Sequence, residues 1–339
     1  MGGSGRLGIR DIAAEAGVSV ATVSRVLNET AKVNLQLRQR VLAAAARVGY
    51  RPNGIARSLR LQRTNSLGVV IPTITNPYFT DAVRAMQDAA GRQGYTLLVT
   101  NSDRDPAKEE AALLTLLDRR VDGVVLVSAA LDPEPSPALQ TFLDSGTPLV
   151  VMDRALPRLE LDRVLVDTRA GAREAVLHLA RQGRRRIAFI AGPPSISTAA
   201  EKLAGYGDGL AAAGLAFDPQ AVLPGDYTLE SGEVQAQALL AMQPQPDGLL
   251  IANNLMTLGA LRVLLRRDVA IPERLAVVGY DDVPWTEAVR PALSVVAQPT
   301  YELGRRAIER LIERTSGRLA AGPPVTEILP TSLIVRESS

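Results

Sequence analysis

The chain has 339 residues, no cysteine, one histidine and a formal net charge of +2. Without cysteine it has no disulfide framework, thiol nucleophile or cysteine-based zinc site. The lone His178 is expected to be structural, because neither a catalytic triad nor a histidine metal cage is apparent around it. The N-terminus lacks the apolar stretch of a signal peptide, and no apolar run is long enough to span a bilayer. We therefore expect a cytoplasmic protein with no membrane contact and no metal, cofactor or catalytic residue.

The charge is distributed unevenly along the chain. Residues 1–63 contain eleven Arg and Lys against three Asp and Glu, a net +8, whereas residues 64–339 contain 27 against 33, a net −6. A basic segment supplies the phosphate contacts that dominate nucleic-acid affinity. The acidic remainder is repelled by the negatively charged nucleic acid. This separation predicts a small nucleic-acid-binding head on a larger body.

Residues 9–28, IRDIAAEAGVSVATVSRVLN, predict two short helices joined by a tight turn at Gly17. Ser19 is a good N-cap for the second helix, because its hydroxyl can accept a bond from a free backbone N–H. Such a pair resembles a helix-turn-helix, whose second helix enters the DNA major groove. We expect that helix to present small, polar and basic side chains to DNA: Val20, Ala21, Thr22, Ser24, Arg25 and Asn28.

The body alternates short apolar runs with amphipathic segments. Candidate strands are residues 66–71, 95–100, 123–127, 148–152, 186–192, 248–252, 274–280 and 293–297. Helices are expected between them, for example at 80–93 and 171–182. Nearly continuous runs of Val, Ile and Leu suit parallel strands buried on both faces, and the βαβ alternation predicts a doubly wound α/β architecture.

Three polar residues follow candidate strands directly. Asp153 comes after PLVVM, Asn253 after GLLIA and Asp281 after RLAVVGY. Because ligands bind at the carboxyl ends of the strands in such sheets, these residues are expected to converge on one cleft. A carboxylate there can accept hydrogen bonds from ligand hydroxyls.

Several motifs resemble the lac-repressor (LacI/GalR) family of bacterial transcription regulators, in the family's order and over nearly the whole chain. They are VSVATVSRVLN at 18–28, LRQRVLAAAARVGYRPNGIARSLR at 37–60, TNPYF at 75–79, DR at 153–154, HLARQGRRRIAFIAGP at 178–193, LAGY at 203–206, NNLMTLGALR at 253–262, VVGYDD at 277–282 and QPTYELGRRA at 298–307. The head and hinge motifs are the most specific of these.

The resemblance implies an all-α helix-turn-helix head at 1–52, a hinge helix or linker at 53–63 and an effector-binding, dimerising body at 64–339. Asn34 would cap a third head helix. In the hinge, Ala56 would let two helices approach closely, and Leu59 would wedge into the minor groove and kink the DNA. The body would be periplasmic-binding-protein-like, with two doubly wound subdomains. Their expected bounds are about 64–166 with 294–325 and about 167–293 with 326–339.

The resemblance also assigns positions in an effector cleft. They are Tyr78, Phe79, Asp153, Lys202, Tyr227, Asn253, Asp281 and Gln298. At the position of Lys202 the family usually has arginine. Arginine offers a planar group that can make two parallel hydrogen bonds, whereas lysine offers a compact point charge. At the position of Asn254 the family often has aspartate. Trp285 could stack on a sugar ring or pack between subdomains, and the sequence leaves both roles open.

The sequence thus predicts a homodimeric, nucleoid-associated repressor of carbohydrate genes. It would bind palindromic operator DNA and respond to a small sugar or sugar derivative. Two alternatives remain open at this point: control by a protein corepressor, which the Lys202 replacement permits, and a carbohydrate-acting enzyme built on Asp153, Asp281 and Lys202. No nucleophile–base pair is apparent for the enzyme.

Overall fold

The computed structural model describes residues 8–28, 33–50, 63–129, 134–156, 158–317 and 322–339. The chain divides into two compact units, 1–64 and 65–339. Ala56 and Leu59, expected in the hinge, lie outside the described residues, as does the side chain of Asn28. Within the described ranges, no helix is both long and apolar enough to cross a membrane.

In its described residues, the first unit contains three helices: α1 (Ile9–Ala16), α2 (Val20–Asn28) and α3 (Leu35–Arg47). Gly17 ends α1 with a φ of +59°, a left-handed conformation that glycine adopts without strain. Ser19 Oγ accepts a bond from the Thr22 N–H at 3.1 Å, and Asn34 Oδ1 accepts one from the Gln36 N–H at 2.9 Å. Both predicted caps are therefore present. The helices enclose one apolar core: Ile12, Ala13, Ala16, Val23, Val26, Val41, Ala44 and Ala45.

The second unit is built on two sheets, and we call the parts around them the first and second subdomains. The first sheet has six parallel strands in the order β11-β5-β4-β3-β1-β2. Its strands are β1 (Ser66–Ile71), β2 (Thr96–Asn101), β3 (Gly123–Leu126), β4 (Leu149–Met152), β5 (Asp162–Val166) and β11 (Thr326–Leu329). Its helices are α4 (Pro77–Arg92), α5 (Pro106–Asp118), α6 (Pro137–Asp144) and α12 (Thr300–Thr315).

The second sheet also has six strands, in the order β12-β10-β9-β8-β6-β7, and β12 alone runs antiparallel to its neighbour. Its strands are β6 (Ile187–Ala191), β7 (Val222–Pro224), β8 (Gly248–Ile251), β9 (Ala276–Tyr280), β10 (Ser294–Ala297) and β12 (Ser332–Ile334). Its helices are α7 (Thr168–Arg181), α8 (Ser197–Ala212), α9 (Leu229–Ala241), α10 (Asn254–Arg266) and α11 (Trp285–Ala288). The doubly wound α/β prediction is confirmed for both subdomains.

Through its described strands, the chain crosses between the sheets three times. The crossing expected near 166 follows β5 directly, but those expected near 293 and 325 are wrong by one strand each. Strand β10 pairs with β9 in the second sheet, and β11 pairs with β5 in the first. Each strand therefore pairs with its neighbour in one sheet before the chain passes to the other subdomain. Apolar content along the chain does not show which sheet a strand will join, so both crossings are displaced from their expected places.

Helices α7 and α8 pack backbone to backbone at Gly205. A Cβ atom at this position would lie 2.1 Å from the carbonyl oxygen of Arg169, so only glycine permits the approach. The adjoining Tyr206 is fully buried and donates from its hydroxyl to the Ile187 carbonyl at 2.7 Å. These contacts fix α8 over the second sheet and thereby place Lys202, one turn earlier, at the strand ends.

Candidate functional site

One cavity lies between the two subdomains, at the carboxyl ends of the strands. The empty space between its lining side chains, including its open mouth, is about 470 Å³. All eight residues expected in an effector cleft line it: Tyr78, Phe79, Asp153, Lys202, Tyr227, Asn253, Asp281 and Gln298. The structure therefore brings these residues together, although their role toward a ligand stays a prediction.

Asp153 forms the first-subdomain wall of the cavity. It follows β4 with a φ of +67°, and its Oδ1 accepts a 2.6 Å bond from the Tyr78 hydroxyl. Its Oδ2 lies 3.8 Å from Nε of the neighbouring Arg154, which makes a long ion pair. Burial raises the pKa of Asp153 despite that arginine. The carboxyl group is thus fixed by one hydroxyl and has room for further donors.

Asp281 forms the facing wall in the second subdomain. It follows β9, again with a positive φ, +71°. Its Oδ1 accepts a 2.6 Å bond from Gln298 Nε2, and its Oδ2 accepts bonds from the side chain and backbone N–H of Asn254 at 2.8 and 3.3 Å. The positive φ at both Asp153 and Asp281 turns the chain sharply after a strand.

Asn253 caps a helix at the edge of the cavity. Its Oδ1 accepts a bond from the Met256 N–H at 3.0 Å, at the start of α10. Its Nδ2 donates to the Tyr227 carbonyl at 3.2 Å. Both ends of the amide are therefore in use within the protein, and the side chain is rigidly held.

Lys202 is buried at the floor of the cavity. Its Nζ donates to the Ala252 carbonyl at 2.8 Å and lies 4.1 Å from the centroid of the Tyr280 ring, which is a cation–π distance. Burial lowers its pKa, while Asp281 and Asp153 oppose that shift. The Tyr280 ring is held in turn by its hydroxyl, which donates to the Thr168 carbonyl at 2.7 Å.

Six further residues line the cavity that the sequence did not single out as effector-binding: Pro72, Thr73, Asn76, Arg104, Arg154 and Thr198. Arg104 donates from Nη1 to the Tyr227 carbonyl at 3.1 Å and so connects the two subdomains. Arg154 donates to the Ser128 carbonyl at 2.8 Å, and its buried Nε has no hydrogen-bond partner among the described residues. Arg154 stands beside Asp153 at a strand end and could have been found, whereas Arg104 lies in a turn with no sequence signal.

Trp285 packs, half-buried, against the apolar core of the second subdomain and does not line the cavity. It therefore packs within one subdomain, and the structure shows neither the ring stacking nor the packing between subdomains that the sequence left open. His178 lies with Nε2 2.9 Å from Ser339 Oγ, and burial lowers its pKa, as expected for a structural histidine. In the parts of the chain with a defined placement, no group of three or more His, Cys, Asp or Glu could hold a metal ion.

The head presents the start of α2 to solvent. Val20 is 46% exposed, and Ala21 and Arg25 are also exposed. Thr22 and Ser24 are half-buried, and the Thr22 hydroxyl lies 2.9 Å from Ser19 Oγ. An exposed second helix with an arginine on its outer face is the arrangement by which a helix-turn-helix reads base edges.

Known proteins match both units. Residues 8–53 match the bacterial regulatory proteins of the lacI family, and residues 176–339 match a periplasmic binding protein-like domain. The HTH-type transcriptional repressor CytR of Escherichia coli (strain K12) is 32% identical over 98% of this chain and 96% of its own.

Two solved structures extend the match. The lac repressor dimer bound to operator and the anti-inducer ONPF is 27% identical with a TM-score of 0.85, covering 98% of this chain and 99% of that one. The transcriptional regulator CelR in complex with cellobiose is 34% identical with a TM-score of 0.75, covering 98% and 100%. Similarity at this level along nearly its full length shows that the chain belongs to the lacI family of bacterial regulatory proteins and is a DNA-binding transcriptional repressor.

Proposed function

We propose that the protein is a homodimeric repressor of carbohydrate genes, controlled by a small sugar or sugar derivative bound in the cavity between its subdomains. The observation that carries this proposal is the position of the two carboxylates. Asp153 belongs to one subdomain and Asp281 to the other, and both line the same cavity. A polyhydroxylated ligand that donates to both would favour one relative position of the subdomains over another, which is the differential binding that a switch needs.

The ligands and assembly of two similar proteins support this proposal. The CelR structure holds cellobiose, and the lac repressor structure is a dimer that holds operator DNA together with ONPF. By extension, we propose a sugar-like ligand, a palindromic operator and a homodimer for this chain. Calorimetry that detected no small ligand would favour the protein corepressor instead.

The head would read the operator with α2. Val20, Ala21 and Arg25 would face base edges, while Thr22, Ser24 and Asn28 would hold register or contact phosphates. Ala56 and Leu59 would complete the complex at the operator centre, as the family resemblance implies. A dimer places two heads on half-sites about 10 bp apart.

Lys202 provides the sharpest test of the ligand's chemistry. Titration calorimetry on the full chain would use paired probes, ribose with ribose 5-phosphate and glucose with glucuronate. For a probe that binds through this ammonium, we expect Lys202→Met to weaken binding by about 10- to 100-fold, because a charged hydrogen bond is worth about 1.5–3 kcal/mol.

The matched variant is Lys202→Arg, which keeps the charge and adds donors. If an anionic probe binds, Arg should preserve or strengthen its affinity. A probe that binds wild type and both variants alike would show that Lys202 does not contact the ligand. If none of the four probes produced heat, the proposal of a small sugar effector would lose its support.

A further inference from the structure

Asn254 is a buried residue that the proposed function does not use. It is the first residue of α10, it is 0% exposed, and it does not line the cavity. Its amide nevertheless lies between two residues that do, Asn76 of the first subdomain and Asp281 of the second. The side chain therefore spans the boundary between the subdomains behind the ligand space.

The surroundings fix the orientation of this amide. Asn254 Nδ2 is 2.9 Å from Asn76 Oδ1 and 2.8 Å from Asp281 Oδ2. The Asn76 atom must be oxygen, because it also accepts the Tyr78 N–H at 3.0 Å as the cap of α4. Asp281 Oδ2 is likewise an acceptor, because the backbone N–H of Asn254 also donates to it at 3.3 Å. The atom that faces both must be the nitrogen, and both of its hydrogens are used.

We propose that Asn254 is a positioning residue, which orients the Asp281 carboxylate and joins it to the opposite wall of the cleft without any bound ligand. Direct bonds between the subdomains are also made by Arg104, to the Tyr227 carbonyl at 3.1 Å, and by the Ala155 N–H, to Ser197 Oγ at 2.9 Å. Those four residues are only partly buried or lie at the cavity surface, whereas Asn254 is completely enclosed. Water cannot readily replace the bonds of Asn254, so they hold the subdomains most strongly in the arrangement of this structure, which we call closed.

An aspartate at this position would reverse the interaction. Its carboxylate would bring a third acceptor against Asn76 Oδ1 and Asp281 Oδ2, with no hydrogen to place between them. Rotating Asn76 would offer a donor, but it would remove the oxygen that caps α4. Like charges in contact and unpaired buried groups both oppose closure.

The test compares the same chemical change on the two sides of one hydrogen bond. In Asn254→Asp the donor is lost. In Asn76→Asp the acceptor is retained, so the bond to Asn254 and the cap of α4 both survive. Because the chain has no cysteine, dyes can be attached to cysteines introduced at Gln140 on α6 and Ala212 on α8, both exposed. Single-molecule energy transfer in excess unlabelled protein then reports the separation of the subdomains without effector or DNA.

We expect Asn254→Asp to lower the ratio of closed to open molecules by about tenfold or more, and Asn76→Asp to stay closed. Asn254→Ala, which removes the donor without adding charge, should open in the same direction and serves if the Asp variant does not fold. An unchanged distance distribution in the Asn254 variants would overturn the proposal. Equal opening of both Asp variants would also overturn it, since added charge rather than the lost donor would then be the cause. Neither result depends on the identity of the effector.

Discussion

Asp281→Ala is expected to abolish the response to effector while the heads continue to bind operator. The substitution removes a carboxylate that lines the cavity and lies far along the chain from the head. Each lost or unpaired bond costs about 1–3 kcal/mol, which amounts to as much as a hundredfold in effector affinity. The measurement is operator affinity titrated against effector concentration for wild type and variant.

The neighbouring Asp282 offers a matched control. It is exposed, forms an ion pair with Arg336 at 2.8 Å and does not line the cavity, so Asp282→Ala should keep the response. Because Asp281 also holds Gln298 and Asn254, thermal unfolding of each variant should be recorded alongside. An Asp281→Ala protein that responds at wild-type effector concentrations would remove this carboxylate from the site.

Operator binding is expected to weaken steeply with salt. Each head carries a net charge of +8 over residues 1–63, and a dimer would bring two of them to the DNA. With about six to ten phosphate contacts, affinity falls by about 10³–10⁵ between 50 and 200 mM salt, through counterion release. Filter binding or anisotropy across that range measures the slope.

The Asp281→Ala variant supplies the control for this slope. The slope counts phosphate contacts, so a change confined to the body should leave it unaltered even where the affinity itself shifts. Binding that is independent of salt would show that the basic head is not the part that contacts DNA.

The central strands were predictable because burial on both faces demands a continuous apolar run. Strands β1, β3, β4, β8 and β9 are almost entirely buried and match the expected segments closely. The missed strands lack such a run. Strand β5 alternates buried and partly exposed residues, and β11 at the sheet edge leaves Ile328 59% exposed. An edge or alternating strand cannot be told from a loop by apolar content alone.

The membership of the cavity was predictable because its residues follow strands or match family motifs, but its internal bonding was not. Asn76 and Asn254 are 178 positions apart, and their contact exists only because the two subdomains meet there. The bond from Arg104 to the Tyr227 carbonyl likewise joins distant turns. The sequence identified Lys202 as a replaced cation, but its contacts with Ala252 and Tyr280 depend on how α8 packs over the second sheet.

Control of the head by the cleft is tested most directly by two linked titrations on the full-length protein. DNA affinity is measured with and without a saturating ligand that fills the cavity, and ligand affinity is measured with and without saturating operator. Linkage requires the two ratios to be equal, and a coupling of 1–3 kcal/mol predicts a factor of about 5 to 150 in each. An operator affinity that does not change when the cleft is filled would contradict control of the head by the cleft.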